Sequence, residues 1–143
     1  MSVKIPFDEL KATAKKAFLN LGLDEHKAEI CAHIHTSSNA DGVESHGMNR
    51  IPRFAEYVKK GWININAEPE LIKSKGAAEN YDGHLGIGVT NALFCTERAL
   101  KLAEAHGIGL VALKNTTHWM RGGTYAWKIA EAGFIGISWI NTE

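Results

Sequence analysis

Ile108-Gly109-Leu110-Val111-Ala112-Leu113 is a short, branched, apolar run. A polar loop from Lys114 to Gly123 follows it, then a helical pattern from Thr124 to Ala132 and a second apolar run from Phe134 to Ile140. In order these read strand, loop, helix, strand, which is a βαβ-like unit and predicts an α/β (α+β) chain. An apolar run without alternation is expected of a strand buried on both faces. Open α/β sheets place ligands in the loops that leave the C-terminal ends of such strands. The same stretch therefore predicts the fold class and a place to look for chemistry.

Upstream of it, Gly83-His84-Leu85-Gly86-Ile87-Gly88 reads as a glycine-rich turn before a long helix, about Thr90 to Ala105. Its glycine spacing is the reverse of the dinucleotide fingerprint and no strongly apolar strand precedes it, so it is a poor phosphate loop. Glu70 to Lys75 and Glu79 to Asp82 read as short strands around Gly76. The first third is helical. Phe7, Leu10, Ala14, Ala17, Phe18 and Leu21 recur at three- and four-residue spacing, with Pro6 at the start and Gly22 as a stop. Asp24 is placed to cap a second helix with Ala28, Cys31, Ala32 and Ile34 on its apolar face. Ser45 reads as the N-cap of a third helix running to Gly61, kinked or broken at Pro52. This divides the chain into a helical segment, residues 1–62, and the first part of a sheet-containing region, residues 63–143.

The bulk numbers exclude several classes. Sixteen basic residues balance sixteen acidic ones, which leaves no electrostatic footprint for nucleic acid or an anionic membrane. No apolar run approaches the ~20 residues of a membrane span, and Met1 to Asp8 does not read as a signal peptide. Cys31 and Cys95 lie inside helical patterns and read as reduced thiols, so the expected location is cytoplasmic. His33 and His35 are two apart on a helix and cannot share a metal there, so no metal site is expected.

Two stretches can carry chemistry. In Ser45-His46-Gly47-Met48-Asn49-Arg50, a cap at Ser45 would set His46 in a first helical turn, beside unpaired N–H groups and the positive end of the dipole. That field opposes an imidazolium. Arg50, four residues on, would share its helix face. Such a pair suits reduction of a 2-oxo acid: arginine holds the carboxylate through two parallel bonds and histidine gives a proton to the carbonyl oxygen. In the loop Asn115-Thr116-Thr117-His118-Trp119-Met120-Arg121-Gly122-Gly123, the side chains of Asn115, His118 and Arg121 are donors for a polar, anionic substrate, and Trp119 with Met120 would wall the pocket. Read alone, either stretch also fits a bland surface turn.

At these two motifs the chain resembles the malate/L-lactate dehydrogenase-like family, whose members bind nicotinamide without a Rossmann fold. The resemblance rests on Ser45-His46-Gly47-Met48-Asn49-Arg50-Ile51-Pro52-Arg53-Phe54, on His106-Gly107-Ile108-Gly109-Leu110-Val111-Ala112-Leu113-Lys114-Asn115, and on His118-Trp119-Met120-Arg121-Gly122-Gly123. Trp119-Met120-Arg121, where malate- and lactate-type members tend to carry Phe-Gly, points to a sugar-acid branch. The resemblance implies His46 as proton donor, Arg50 and His118 beside the substrate, and NADH or NADPH as cofactor. It implies a 2-oxo acid substrate such as 2,3-diketo-L-gulonate, and a homodimer with the active site near the subunit interface. Family members are much longer than this chain. That places most cofactor-binding residues beyond Glu143, and the abrupt end after Ile140 suggests a sequence that continues. A malate- or lactate-type dehydrogenase, or a non-catalytic truncated α/β interaction module, stands as the alternative.

Overall fold

The computed structural model describes residues 4–141. Helix α1 (Phe7–Asn20) starts directly after Pro6, and Gly22, with φ +92°, turns the chain into α2 (Glu25–Ala40). Asp24 caps α2 as expected, its carboxylate accepting from Lys27 N–H at 2.8 Å. Ala14 and Phe18 of α1 meet Ala28, Cys31, Ala32 and Ile34 of α2 in one core, which Leu23, Phe54, Ile63, Ile87, Val89 and Met120 complete. Phe18 packs edge-on against Phe54 with ring centres 5.4 Å apart. The core thus joins the helical first part to residues from the sheet-containing part.

No α-helix begins at Ser45. Two 3-10 turns, Glu44–His46 and Met48–Arg50, precede α3 (Ile51–Lys59). The cause is Gly47, whose non-helical backbone (φ −111°, ψ −137°) separates the turns. Asn39 of α2 reaches across it, its side-chain oxygen accepting from Met48 N–H at 2.6 Å, and a Cβ at position 47 would overlap that oxygen. Pro52 then falls in the first turn of α3, where no N–H is needed, so the expected break is the true start of the helix.

Strand β1 (Glu70–Lys75) pairs antiparallel with β2 (Ala78–Gly86) across a tight turn at Gly76, φ +56°. Strand β3 (Leu110–Thr116) adds parallel to β2, giving a mixed sheet in the order β1-β2-β3. The β2-to-β3 crossover is α4 (Gly88–His106), which ends on Gly107 at φ +77°. Glu79 is buried in this layer, where the Arg98 guanidinium grips both its oxygens, at 2.9 and 2.5 Å, and Tyr81 donates to it at 2.8 Å. Cys31 is a buried free thiol and Cys95 a partly buried one.

Three expectations for this half need correction. Most of the glycine-rich segment read as a turn belongs to β2, which runs to Gly86 through a register break after Asp82, with His84 and Leu85 at φ +48° and +57°. Strand β3 is not buried on both faces: it is the edge of the sheet, and Leu110 is 54% exposed. Phe134 to Ile140 forms no strand at all. After α5 (Gly123–Glu131) it runs unpaired, with Ile135 94% and Trp139 79% exposed. Apolar composition suits a run to a sheet, but a strand exists only where a neighbour completes its hydrogen bonds, and among the described residues none lies alongside. Among the described residues no helix is long and apolar enough to cross a membrane.

Candidate active site

His46 ends the first 3-10 turn, half-buried, with the Ser45 hydroxyl 2.9 Å from its Nδ1. The helix-dipole reasoning for His46 therefore does not apply. What the turns do instead is hold the segment against α2 and aim His46 at the loop after β3. There the His118 ring lies with its centre 5.5 Å from that of His46, tilted by 38°. Arg50 does not share an α-helical face with His46. Its Nε donates to the Ser45 carbonyl at 2.7 Å, which folds the side chain back over the same turn. Ser45, Asn49, Arg50 and Arg53 line an open concavity of ≈ 320 Å3 there, at the lower end of the roughly 300–1,000 Å3 of small-molecule sites.

His118 is fixed by its own loop. Met120 N–H donates to its Nδ1 at 2.9 Å, so a neutral ring carries its proton on Nε2 and offers it as a donor. Partial desolvation holds its pKa below the ordinary histidine value, and the positive charges of Arg50, His46 and Arg53 add to this. Met120 reaches the required geometry with φ +65°, a costly conformation for a bulky residue; Asn115, at the start of the loop, sits at +51°.

The glycine-rich segment dismissed as a phosphate loop has a different task. Gly88, at the start of α4, packs so closely on the loop that a Cβ there would overlap the carbonyl oxygens of Thr117 and His118. The Thr117 hydroxyl accepts from Gly88 N–H and donates to the Gly86 carbonyl, both at 2.9 Å, while the Asn91 amide donates to Thr116 Oγ at 3.0 Å. The other side is held by Trp119 stacked on Tyr125, ring centres 5.0 Å apart, with the Tyr125 hydroxyl donating to the Trp119 carbonyl at 2.5 Å. Gly88, Asn91, Thr117 and Asn39 are thus site-building residues that sequence reading passed over. The run of glycines was the available signal, since glycine marks places where backbones approach closely.

Two candidate substrate residues are otherwise engaged. Arg121 pairs with Asp41 at the end of α2 and lies 4.3 Å over the Trp127 ring, so it braces the loop against the helices. Asn115 donates to Asp82 at 2.9 Å, at the end of the sheet. Neither lines the concavity. Beneath the site, His35 is fully buried, its Nδ1 2.6 Å from the Cys31 carbonyl and its Nε2 without a partner among the described residues. Burial pushes its pKa down to about 4.

The assembled group is an imidazole pair next to a concavity of small-molecule size that two arginines line, and it suits polarising and protonating the carbonyl of an anionic acid. Comparison with known proteins agrees with this class. The malate/L-lactate dehydrogenase family model matches residues 5–143, and the chain belongs to that family. A 2,3-diketo-L-gulonate reductase of Shigella boydii serotype 4 is 45% identical over 140 residues, covering 98% of this chain and 42% of that protein. A reductase of the same name from Escherichia coli is 44% identical with the same coverage. The chain thus spans 42% of the length of these relatives. Among solved structures, malate dehydrogenase from Pyrococcus horikoshii superposes with TM-score 0.89 at 30% identity, over 92% of this chain and 38% of that one. Sulfolactate dehydrogenase from Methanocaldococcus jannaschii gives 0.85 at 28%, over 89% and 37%.

Proposed function

We propose that this chain supplies the proton-donating and carboxylate-binding part of a 2-hydroxy-acid oxidoreductase. The substrate is a 2-oxo sugar acid, 2,3-diketo-L-gulonate, reduced to 3-dehydro-L-gulonate. The observation that carries the reading is the His46–His118 pair, 5.5 Å between ring centres, beside the concavity that Arg50 lines. The sugar-acid substrate draws its support from the relatives of that name.

Arg50, with its Nε already tied to Ser45, turns its remaining N–H groups to the substrate carboxylate. His118 keeps its charge off and donates Nε2–H to the carbonyl oxygen. His46 then passes a proton to that oxygen as the carbon is reduced, and Ser45 holds its far nitrogen. A bound NADH or NADPH supplies the hydride. Among the described residues the glycines at the start of α4 are filled by the chain's own Thr117 and His118, so they form no cradle for its phosphates. What these residues contribute is the handling of carboxylate and proton.

The test follows nicotinamide absorbance in the enzyme encoded by the full reading frame, with 2,3-diketo-L-gulonate, pyruvate and oxaloacetate. His46→Ala should lower turnover by roughly 10²–10⁴. Unchanged turnover would remove His46 from the reaction. A malate-type specificity is the second reading, favoured by the Pyrococcus horikoshii likeness, and a preference for oxaloacetate would establish it.

A further inference from the structure

The chain has four arginines, and they divide cleanly. Arg98 is paired with buried Glu79 and Arg121 with Asp41. Arg50 and Arg53 have no carboxylate within 4.0 Å among the described residues, and both line the same concavity beside His46. The nearest acid along α3, Glu56, is taken by Lys60 at 2.6 Å. The remaining lining residues, Ser45 and Asn49, are neutral and polar. Arg53 shares the field of Glu56 only at longer range, so two guanidinium groups without a direct carboxylate partner stand on one small surface, which favours an anionic or oxygen-rich ligand.

One carboxylate satisfies one guanidinium fork. Arg50 is the better placed for it, since its Nε bond to Ser45 holds it over the turn that carries His46. Arg53 then requires a second acceptor. Side chains three apart on a helical turn start about 5–6 Å from each other, a gap that pyruvate does not span and a longer acid does. Asn49, between them on the lining, adds an amide that can donate and accept. We propose that Arg53, with Asn49, is the specificity-determining end of the pocket. It reads distal oxygens, hydroxyl or carboxylate, on a 2-oxo acid whose head is held by Arg50. This rests on the preceding assignment of Arg50 to the substrate carboxylate.

The experiment is an NMR titration of the 143-residue chain, following the ring protons of His46 and His118 as binding is read for pyruvate, oxaloacetate and 2,3-diketo-L-gulonate. Arg53 is exposed, so Arg53→Gln and Arg53→Lys should leave the fold intact. Arg53→Gln is expected to weaken a longer acid by about tenfold or more and to leave pyruvate within about twofold, the size expected for losing a charged hydrogen bond. Arg53→Lys should restore part of the loss. Loss confined to oxaloacetate identifies a distal carboxylate, and loss confined to diketogulonate identifies hydroxyls. Equal weakening of all three acids, or of none, overturns the proposal, because Arg53 would then act as a general field or not at all. Arg50→Gln is the separate control and should weaken all three. If it leaves pyruvate binding unchanged, or if no 2-oxo acid moves either ring, the carboxylate assignment itself fails, whatever Arg53 does.

Discussion

Replacing His35 with leucine should flatten the acid limb of the stability profile. In the folded chain burial holds the His35 pKa near 4, against 6.5 for the free group. Its Nδ1 donates to the Cys31 carbonyl and its Nε2 faces no partner, so a second proton on Nε2 would make a buried N–H with no acceptor. The positive charge of His118 opposes protonation as well. Since the folded pKa lies below the unfolded one, the unfolded chain takes up the proton first. The contribution of His35 is therefore complete above pH 6.5 and is lost as pH falls from 6.5 to about 4. At about 1.36 kcal/mol per pKa unit that loss is about 3 kcal/mol, a large share of the roughly 5–15 kcal/mol that holds a domain folded. Leucine fills a similar volume against Phe18, whose ring lies 5.1 Å from that of His35, and carries no proton. Urea unfolding of both proteins at several pH values between 7.5 and 4 reads the effect as a difference of differences. Other groups, such as Glu29 with its carboxyl held near 2 by Lys11 and Lys15, titrate alike in both. Parallel stability profiles for the two proteins would mean that His35 is not held neutral by burial.

Two further outcomes follow from the site. Gly88→Ala replaces a helical glycine with the best helix former, which ordinarily gains about 1 kcal/mol. Here it should instead cost about 1–3 kcal/mol and shift the His118 ring resonances, because the new methyl meets the backbone oxygens of Thr117 and His118. A raised melting temperature would show that the close approach is absent. The 143-residue chain by itself should show no robust NADH-dependent reduction of diketogulonate, since hydride transfer needs a positioned cofactor and the glycines at the start of α4 are filled by Thr117 and His118; rapid turnover by the purified chain would overturn this.

Much of the first third is legible in sequence because its determinants are local. The spacing of Ala14 and Phe18, the Asp24 cap and the Gly22 turn each act within a few residues, and each is found in place. The third helix fails on a long-range contact, since Asn39 on α2 bonds Met48 N–H across Gly47 and no local propensity reports this. The same holds for the loop after β3. Its polarity marks it as a candidate site, but which of its donors stay free depends on distant partners: Asp41 takes Arg121, Asp82 takes Asn115, and Met120 N–H orients His118.

Local sequence was enough for the two N-terminal helices, the α/β class and the family, and it named the candidate site residues. These depend on periodicity, capping and motif, all of which are properties of neighbouring positions. Tertiary structure alone decided that His46 meets His118, that Arg50 and Arg53 share a concavity, and that Gly88 seats the loop. It also decided which of the two apolar runs flanking the loop and α5 became a strand. Leu110 to Thr116 became a strand because β2 lies beside it, whereas Phe134 to Ile140, equally apolar, did not. A strand's hydrogen bonds belong to two segments at once, and a single stretch of sequence describes only one of them.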